Sequence, residues 1–219
     1  MNLSGSLEDL NRKLYLEIHE WCDIDEVRRE INMRVDSIRD NRLRRLCSTV
    51  LVMEKDFWIR PASVEHHSMA GGLAKHTLEV LVYSAQILSM VRSEYVLSTD
   101  LVIAGACLHD IGKARDFDNP INGNSGMHHV DTGIEIVKNA MSAFTFSEEE
   151  KRNVLDIMRT HHTAFLDDKK PQYSTLEGYV VHLADSMSAV FDSVLPKLCL
   201  GKKDISCYLQ THIKQAVFK

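Results

Sequence analysis

Apolar residues recur along most of the chain at intervals of three and four positions, the spacing that gathers them on one face of an α-helix. A typical stripe follows the glycines Gly71 and Gly72 and runs through Leu73, Val80 and Ile87. No segment shows the two-residue alternation of a half-buried strand, and the sequence contains no internal repeat and no low-complexity tract. The pattern therefore predicts an all-α protein.

Capping signals and one polar loop set the limits of the predicted helices. Residues 116–127 contain five Asn or Asp, two Gly and one Pro, a composition typical of a loop. Ser147 and Glu150 have the spacing of a capping box, which begins a helix, and so do Ser174 and Glu177. On this basis helices are predicted over residues 6–21, 24–53, 73–87, 101–111, 129–144, 147–160 and 174–194.

These helices are predicted to form three parts. A helical bundle domain over residues 56–195 holds most of the candidate chemistry. An N-terminal helical arm over residues 1–55 precedes it, and a C-terminal helical tail over residues 196–219 follows it. The length of 219 residues is typical of one domain with extensions.

The arm is locally basic, because residues 28–45 contain seven Arg against three acidic residues. The favoured interpretation is a solvated helix face held by ion pairs four residues apart, such as Glu30–Arg34 and Asp40–Arg44. A polyanion-binding face is the alternative.

Composition narrows the class of protein. The formal net charge of −5 argues against a protein that coats DNA through general basicity. The five cysteines have no C-x-x-C spacing, which fits reduced cytosolic thiols better than a disulfide framework or a thiolate zinc site. The sequence does not begin like a signal peptide, and its clearest apolar run, Leu101–Leu108, is far shorter than the roughly 20 residues of a membrane span. A cytoplasmic protein is expected.

Histidine is the unusual component. Eight of the eleven histidines lie between positions 66 and 162, and six of these eight form adjacent pairs. At one such position an apolar helix leads directly to His109 and Asp110, which need a partner or a metal ion if they are buried. Asp110 has two carboxylate oxygens and can bridge two ions, and Lys113 lies four residues beyond His109 on the same helix face.

Other metal-binding side chains lie on successive predicted helices. These are His76, His129, His161 and Asp185. One contribution from each helix is how helical bundles build metal centres. Imidazole and carboxylate donors without thiolate favour one or two divalent transition metal ions (Mn, Fe, Co, Ni or Zn) over a structural zinc site, and magnesium prefers oxygen ligands.

The order His…His-Asp…Asp, with Leu-His-Asp-Ile-Gly-Lys at its centre, resembles the HD-domain metal-dependent phosphohydrolase superfamily over about residues 56–195. The resemblance implies a helical bundle with two metal sites that share one carboxylate. The implied ligands are His76, His109, Asp110 and Asp185 for one ion, and His129, His161 and the bridging Asp110 for the other. The residues implied to act in catalysis are Asp110, Lys113 and His162.

The segment over residues 60–80 is similar to the branch of that superfamily that contains 3′–5′ exoribonucleases. This similarity implies that one of the adjacent pair His66 and His67, and also Arg60, contact substrate phosphate. Lys113 is a further candidate for substrate binding, because its position relative to His109 places an ammonium near anything bound at the metal. The alternative for the adjacent pair His66 and His67 is a surface loop without a role in binding.

Three departures from related families narrow the implied activity. The exoribonucleases of this branch carry an OB-fold that grips single-stranded RNA, whereas this chain has a helical arm, so phosphodiester hydrolysis is implied rather than processive RNA degradation. Gly112 and Lys113 replace the Glu-Asp pair of guanosine tetraphosphate hydrolases. Residues 163–165 replace the Gly-Tyr-Pro motif of cyclic di-GMP phosphodiesterases.

The sequence therefore predicts an enzyme that hydrolyses a phosphate ester of a nucleotide or of a nucleic-acid 3′ end through a metal-activated water. The expected substrate is a phosphorylated small molecule or a single-stranded nucleic acid, no membrane partner is expected, and a homo-oligomer is possible. A di-iron oxygenase on the HD scaffold is one alternative, because the same ligands serve both reactions. A non-catalytic module that binds nucleic acid or protein is the other.

Overall fold

The computed structural model describes residues 23–92, 94–116, 125–161 and 175–200, and every regular element in these ranges is a helix. The all-α prediction is therefore confirmed. In chain order the α-helices are α1 (Ile24–Asp36), α2 (Asn41–Met53), α3 (Gly72–Val91), α4 (Thr99–Leu108), α5 (Lys113–Asp116), α6 (Ser125–Met141), α7 (Glu148–Thr160) and α8 (Leu176–Leu200), with a 3₁₀ turn over Lys55–Trp58. The predicted helix over residues 6–21 lies outside the described ranges.

The helix predicted over residues 24–53 is in fact two helices, because the backbone breaks just before Asp40. The carboxylate of Asp40 caps α2 by accepting a hydrogen bond of 2.8 Å from the backbone N–H of Arg42. Asp100, at the start of α4, accepts hydrogen bonds from the backbone N–H groups of Arg39 and Asp40. The carboxylates of Asp40 and Asp100 thus accept hydrogen bonds from backbone N–H groups that would bond to backbone carbonyls in a continuous helix.

Helices α1 and α2 belong to the same hydrophobic core as the rest of the bundle. Ile31 and Val35 of α1 and Leu46 and Val50 of α2 are buried in this core. Helix α3 packs along α8, α4 and α1. Much of the predicted arm is therefore a layer of the bundle, and the boundary near residue 55 stays a prediction.

The basic face of these two helices is mostly neutralised by its own acids. The predicted pair Glu30–Arg34 is present at 3.8 Å. The predicted pair Asp40–Arg44 is wrong, because the cap geometry turns Asp40 toward Arg42 at 2.9 Å. Arg44 instead donates to the carbonyl oxygen of Ile38 at 3.2 Å. These contacts favour the solvated face over the polyanion-binding face.

Helix α4 ends at Leu108 rather than at the predicted Ile111, and a tight turn follows it. The backbone N–H of Ile111 donates to the carbonyl of Leu108 at 3.2 Å. Gly112 sits so close to α6 that a Cβ atom there would lie 1.8 Å from the carbonyl oxygen of His129. Glycine is therefore required where this turn meets α6.

The limits of two other helices differ from the prediction. Helix α6 begins at Ser125, earlier than the predicted residue 129, and ends at Met141. Helix α8 was predicted to end before Pro196 but continues to Leu200, because proline removes one backbone hydrogen bond without necessarily ending a helix. Residues 201–219 of the predicted tail lie outside the described ranges. Within the described part of the chain, no helix combines the length and the apolar character that crossing a membrane requires.

Candidate metal centre

The six predicted metal ligands meet inside the bundle and come from five different helices or helix ends. His76 comes from α3, His109 and Asp110 from the turn after α4, His129 from α6, His161 from the residue after α7, and Asp185 from α8. None of the six residues is more than 7% exposed. Buried imidazoles and carboxylates of this kind need one another, a proton or a metal ion for their stability.

One carboxylate oxygen of Asp110, Oδ2, faces the first group. It lies 3.5 Å from the Nε2 atom of His76 and 3.5 Å from that of His109. The two Nε2 atoms are 3.3 Å apart, and Oδ1 of Asp185 lies 3.0 Å from that of His76. Four potential ligands are thus gathered around one small space.

The other carboxylate oxygen of Asp110, Oδ1, faces the second group. It lies 3.4 Å from Nε2 of His129 and 3.3 Å from Nε2 of His161. The ligand atoms of these three residues all lie within 4.8 Å of one another. The two oxygens of Asp110 therefore face different groups, and its implied role as a bridge between two ions stays a proposal.

Three of the imidazoles are oriented by hydrogen bonds at Nδ1, which leaves Nε2 directed at the centre. The partners are the carbonyl oxygen of Ala106 for His109, the carbonyl oxygen of Met158 for His161 and the hydroxyl of Ser188 for His76. A hydrogen bond at one ring nitrogen fixes which nitrogen is left to bind a metal ion.

The donor set and its spacing fit divalent transition metal ions. Ligands at roughly 2.1 Å from an ion lie about 3.0–3.4 Å from their neighbours in tetrahedral or octahedral geometry. The contacts within the two groups span 3.0 to 3.9 Å, so a small closing movement completes either site. Imidazole nitrogen with carboxylate oxygen is the ligand chemistry of Mn, Fe, Co, Ni and Zn.

The charges of the centre favour ion binding. Burial acts to raise the pKa of Asp110, but Lys113 and the surrounding imidazoles hold the pKa well below its usual value. Burial likewise acts to raise the pKa of Asp185, and His76 holds it below its usual range. Burial lowers the pKa of His109 to about 4, so that this ring stays neutral. Ionised carboxylates and a neutral imidazole are the protonation states that bind metal ions.

His76 behaves differently from His109. Burial acts to lower its pKa, but the carboxylates of Asp110 and Asp185 outweigh burial and raise the pKa to about 9. In the absence of an ion, His76 therefore carries a proton between the two carboxylates. That position is the one where the positive charge of an ion would stand.

Lys113 approaches the centre through Asp110. Its ammonium lies 2.6 Å from Oδ2 of Asp110, and the Lys113 side chain is 11% exposed. The predicted shared helix face with His109 is wrong, because α4 ends at Leu108 and Lys113 begins α5, but the turn between them brings Lys113 to Asp110. A contact between Lys113 and a substrate phosphate stays a proposal.

The adjacent histidines His66 and His67, in the loop before α3, do not lie on the surface, and their environments differ. His66 is half-buried, with its ring centroid 5.0 Å from that of His76. His67 is fully buried, with its Nε2 atom 3.0 Å from a carboxylate oxygen of Glu79. The predicted substrate contact therefore fits His66, whereas the burial of His67 leaves it no surface to offer a substrate.

Two further predicted residues have different outcomes. The guanidinium of Arg60 lies 3.5 Å from a carboxylate oxygen of Asp56, and its predicted phosphate contact stays a prediction. His162, the predicted catalytic residue, lies outside the described residues. His182 donates from Nδ1 to the carbonyl oxygen of His161 at 2.5 Å and so supports the turn that carries this ligand.

The sequence interpretation missed Ser188, whose hydroxyl lies 2.9 Å from Nδ1 of His76, and Glu79, which contacts Ser188. The hydroxyl of Ser188 donates to Oε2 of Glu79 at 2.9 Å, and both residues are 0% exposed. Glu79 carried one signal that could have found it, because it interrupts the apolar run Leu78–Val82 three residues after His76. Ser188 carried no comparable signal.

A scan against protein families agrees with this geometry. The family model described as HD domain matches residues 73–190, a range that contains all six residues of the two ligand groups. No solved structure matches the chain.

Several curated proteins are similar to the chain at low identity. A dihydroneopterin 2′,3′-cyclic phosphate phosphodiesterase of Methanocaldococcus jannaschii is 27% identical over 145 residues, which are 65% of this chain and 56% of that protein. The 3′-5′ exoribonuclease YhaM of Listeria innocua is 24% identical over 182 residues, which are 78% of this chain and 57% of that protein. The YhaM of Bacillus subtilis is 27% identical over 144 residues, 62% of this chain and 44% of that protein. The chain thus spans about half of the length of these relatives.

Proposed function

Because the chain belongs to the HD-domain family, we propose that it is an enzyme that hydrolyses phosphate esters with divalent metal ions held by the two ligand groups. The observation that carries this proposal is the position of Asp110, whose two carboxylate oxygens face different pairs of imidazoles. One bridging carboxylate between two sets of ligands is the arrangement suited to a pair of ions.

The proposed ligand sets follow the two groups. The first ion is held by His76, His109, Asp110 and Asp185, and the second by His129, His161 and Asp110. Ions bound there supply an activated water and neutralise negative charge on the phosphoryl group. The protein supplies the fixed position of the ligands in a buried setting, where electrostatic interactions are stronger than in water.

Two other side chains are assigned to the substrate phosphate. Lys113 is close enough to the first ligand group to place its ammonium beside a bound phosphoryl oxygen, where it opposes the developing negative charge. His66 lies beside His76 and is half-buried, so it can contact a phosphate at the edge of the centre. His162, predicted to act in catalysis, remains part of the proposal on sequence grounds alone.

The proposed substrate is a phosphodiester of a nucleotide or of a nucleic-acid 3′ end. The similar proteins carry the names of a cyclic phosphate phosphodiesterase and a 3′-5′ exoribonuclease, and both names describe cleavage of phosphodiesters. The general proposal of phosphodiester hydrolysis holds whether the substrate is a nucleotide or a nucleic-acid 3′ end. The cytoplasmic location expected from the sequence stays a prediction.

A groove of about 430 Å³ between α6 and α7 is lined by Lys138, Lys151, Arg152 and Arg159, and also by Glu148. Lys151 pairs with Glu148 at 2.7 Å and Arg159 pairs with Asp156 at 2.8 Å. Lys138 and Arg152 are therefore the basic residues to test for contact with a longer anionic substrate. If a nucleic-acid chain follows this groove, Lys138→Ala with Arg152→Ala lowers oligonucleotide hydrolysis and leaves hydrolysis of a small diester unchanged.

The test uses the full chain, stripped with a chelator and reloaded with Mn²⁺. Three substrates are compared, namely bis-p-nitrophenyl phosphate, a 2′,3′-cyclic nucleotide and a single-stranded oligoribonucleotide with a free 3′ hydroxyl. Hydrolysis of at least one substrate that requires the metal supports the proposal. If none is hydrolysed with Mn, Fe, Co, Ni or Zn, the proposal is wrong, and oxygen uptake by the iron-loaded protein would then indicate the oxygenase alternative.

A further inference from the structure

A buried chain of side-chain contacts leads away from His76 toward the loop before α3. Nδ1 of His76 lies 2.9 Å from the hydroxyl of Ser188, which lies 2.9 Å from Oε2 of Glu79. The same Oε2 atom lies 3.0 Å from Nε2 of His67. All four residues are 0% exposed.

The direction of the hydrogen bonds in this chain is fixed by the chemistry of its members. A carboxylate only accepts, so Ser188 donates its single hydroxyl proton to Glu79. The hydroxyl oxygen of Ser188 therefore accepts from Nδ1–H of His76. In the neutral form of His76 that binds a metal ion, this hydrogen bond fixes the tautomer and directs Nε2 at Asp110 and Asp185.

His76 differs in this respect from the other oriented imidazoles. His109 and His161 each donate to a backbone carbonyl three residues earlier, so their orientation belongs to the local backbone. His76 alone among the three depends on another side chain, and that side chain comes from α8. Its orientation can therefore be altered without changing a ligand or the backbone.

The burial of the Glu79 carboxylate is unfavourable for the free energy of folding, so a functional reason for it is expected. It has no exposed surface, and its Oε1 atom has no hydrogen-bond partner among the described residues. A buried carboxylate with an unpaired oxygen is unfavourable by comparison with an apolar side chain of the same size. The backbone around its neighbour His67 is also unusual, with φ at 47°, and the N–H of His67 donates to Asp192 at 2.6 Å.

We infer that Glu79 is a positioning residue for the metal centre, which acts through Ser188 to fix the tautomer and the orientation of His76. This inference rests on the proposed metal centre. Contacts of this kind, one step behind a metal ligand, typically change metal affinity by 10- to 100-fold when they are removed. Its second neighbour, His67, lies beside the carboxylate, with Nε2 3.0 Å from the same oxygen but without the geometry of a hydrogen bond.

The experiment measures Mn²⁺ and Co²⁺ dissociation constants of the chelator-stripped full chain by competition with a fluorescent chelator. Ser188→Ala removes the link and is expected to weaken affinity by about 10- to 100-fold. Ser188→Thr keeps the hydroxyl and is expected to restore affinity. The visible spectrum of the Co²⁺-loaded protein reports the change in ligand arrangement independently of enzyme activity.

A matched control is available on α3. Ser84 is a buried serine, 2% exposed, whose hydroxyl has no hydrogen-bond partner among the described residues. Ser84→Ala removes the same atom from the same bundle and is expected to leave metal affinity unchanged. Equal loss of affinity in Ser84→Ala and Ser188→Ala would show a general packing effect and overturn the inference.

The role of Glu79 is tested by a double-mutant cycle. If Glu79 acts through Ser188, Glu79→Met and Ser188→Ala each weaken metal binding, and the double variant is no weaker than the poorer single variant. Independent, multiplying effects would contradict the inference. Should Glu79→Met lose cooperative unfolding, the comparison of Ser188→Ala with Ser188→Thr decides alone.

The outcomes separate this inference from the proposed function. If the unaltered chain binds neither ion, the proposed metal centre is wrong and the inference falls with it. If the unaltered chain binds both ions and Ser188→Ala binds them equally well, the positioning role is wrong and the metal centre stands. Glu54→Met, which alters a buried carboxylate paired with Arg115, shows the size of a purely structural effect.

Discussion

The ammonium of Lys113 lies 2.6 Å from Oδ2 of Asp110, the carboxylate oxygen that also faces His76 and His109. One residue thus places a fixed positive charge against the proposed first ion site. Such a charge opposes the binding of a cation, yet it favours an anionic substrate that is bound beside the cation.

Replacement of Lys113 by Met is expected to separate metal affinity from activity. Mn²⁺ binding tightens or stays equal, because a like charge is removed while the surrounding imidazoles still act to keep the pKa of Asp110 low. The value of kcat/KM for bis-p-nitrophenyl phosphate falls by roughly 10- to 100-fold, since a hydrogen bond to a charged group contributes about 1.5–3 kcal/mol. Lys113→Arg, which keeps the charge, is expected to retain part of the activity. Parallel loss of metal and activity in Lys113→Met would instead make Lys113 a support for Asp110.

Each of the two ligand groups is expected to lose its metal ion independently of the other. His161→Gln removes a ligand of the second group only, and Asp185→Asn removes a ligand of the first group only. Each variant is therefore expected to retain about one ion per chain where the unaltered protein holds two. Elemental analysis after dialysis against Mn²⁺ measures this number. A single ion in the unaltered protein, lost in either variant, would reduce the centre to one site.

Gly112→Ala is expected to damage both stability and the second ligand group. The added Cβ atom would meet the carbonyl oxygen of His129 at 1.8 Å and the backbone nitrogen of Gly133 at 2.6 Å. Overpacking of this kind costs about 1–3 kcal/mol in unfolding free energy, and relief of the clash displaces His129. Urea unfolding and metal content report the two effects.

Gly178→Ala is the matched control for that substitution, because its Cβ atom would meet only the Thr160 hydroxyl, at 3.2 Å, and the Thr175 hydroxyl, at 3.4 Å, among its close neighbours. If Gly112→Ala unfolds like this control and keeps its metal, the close approach of the turn to α6 is not needed.

Arg42 is expected to stabilise the fold in a pH-dependent way. It bonds Asp40 at 2.9 Å and Glu150 at 2.5 Å, and it holds the pKa of each carboxyl below its usual value of 3.8 or 4.5. Because these folded-state pKa values are lowered, the stabilisation is complete above the unfolded-state values and is lost as pH falls through the lower folded-state values. The melting temperature of Arg42→Met is therefore expected to lie below that of the unaltered protein at neutral pH.

The gap between these two melting temperatures is expected to close as pH falls below about 4. Arg29→Met serves as the control, because its pair with Glu26 is a looser contact of 3.8 Å on an exposed face. A gap that persists unchanged at low pH would assign the effect to packing of Arg42 over the Phe146 ring instead.

The convergence of the ligands could be predicted from sequence because each polar side chain stands out against its surroundings. His76 and Asp185 interrupt apolar helices, and a helix periodicity places such residues on the buried face. The break before Asp40 could not be predicted in the same way. The apolar stripe continues across it, from Val35 to Leu46, and only the capping contacts with Arg42 reveal it.

The contacts between His76, Ser188 and Glu79 could not be predicted from the sequence for a different reason. Ser188 is a common residue in a helix, and its role depends on where α8 crosses α3. Only the packing of the two helices brings its hydroxyl between His76 and Glu79. The separation of His66 from His67 likewise depends on one residue with a positive φ angle.

The most direct test of the central claim compares Mn²⁺ content and Mn²⁺-dependent hydrolysis of bis-p-nitrophenyl phosphate in Asp110→Asn and in the unaltered chain. Asp131→Asn, an exposed carboxylate on α6 two residues after His129, is the matched control. The expected result is that Asp110→Asn folds, loses metal from both groups and loses hydrolysis, while Asp131→Asn behaves like the unaltered protein. An Asp110→Asn variant that keeps its metal and hydrolyses the diester at the unaltered rate would contradict a bridged metal centre as the basis of activity.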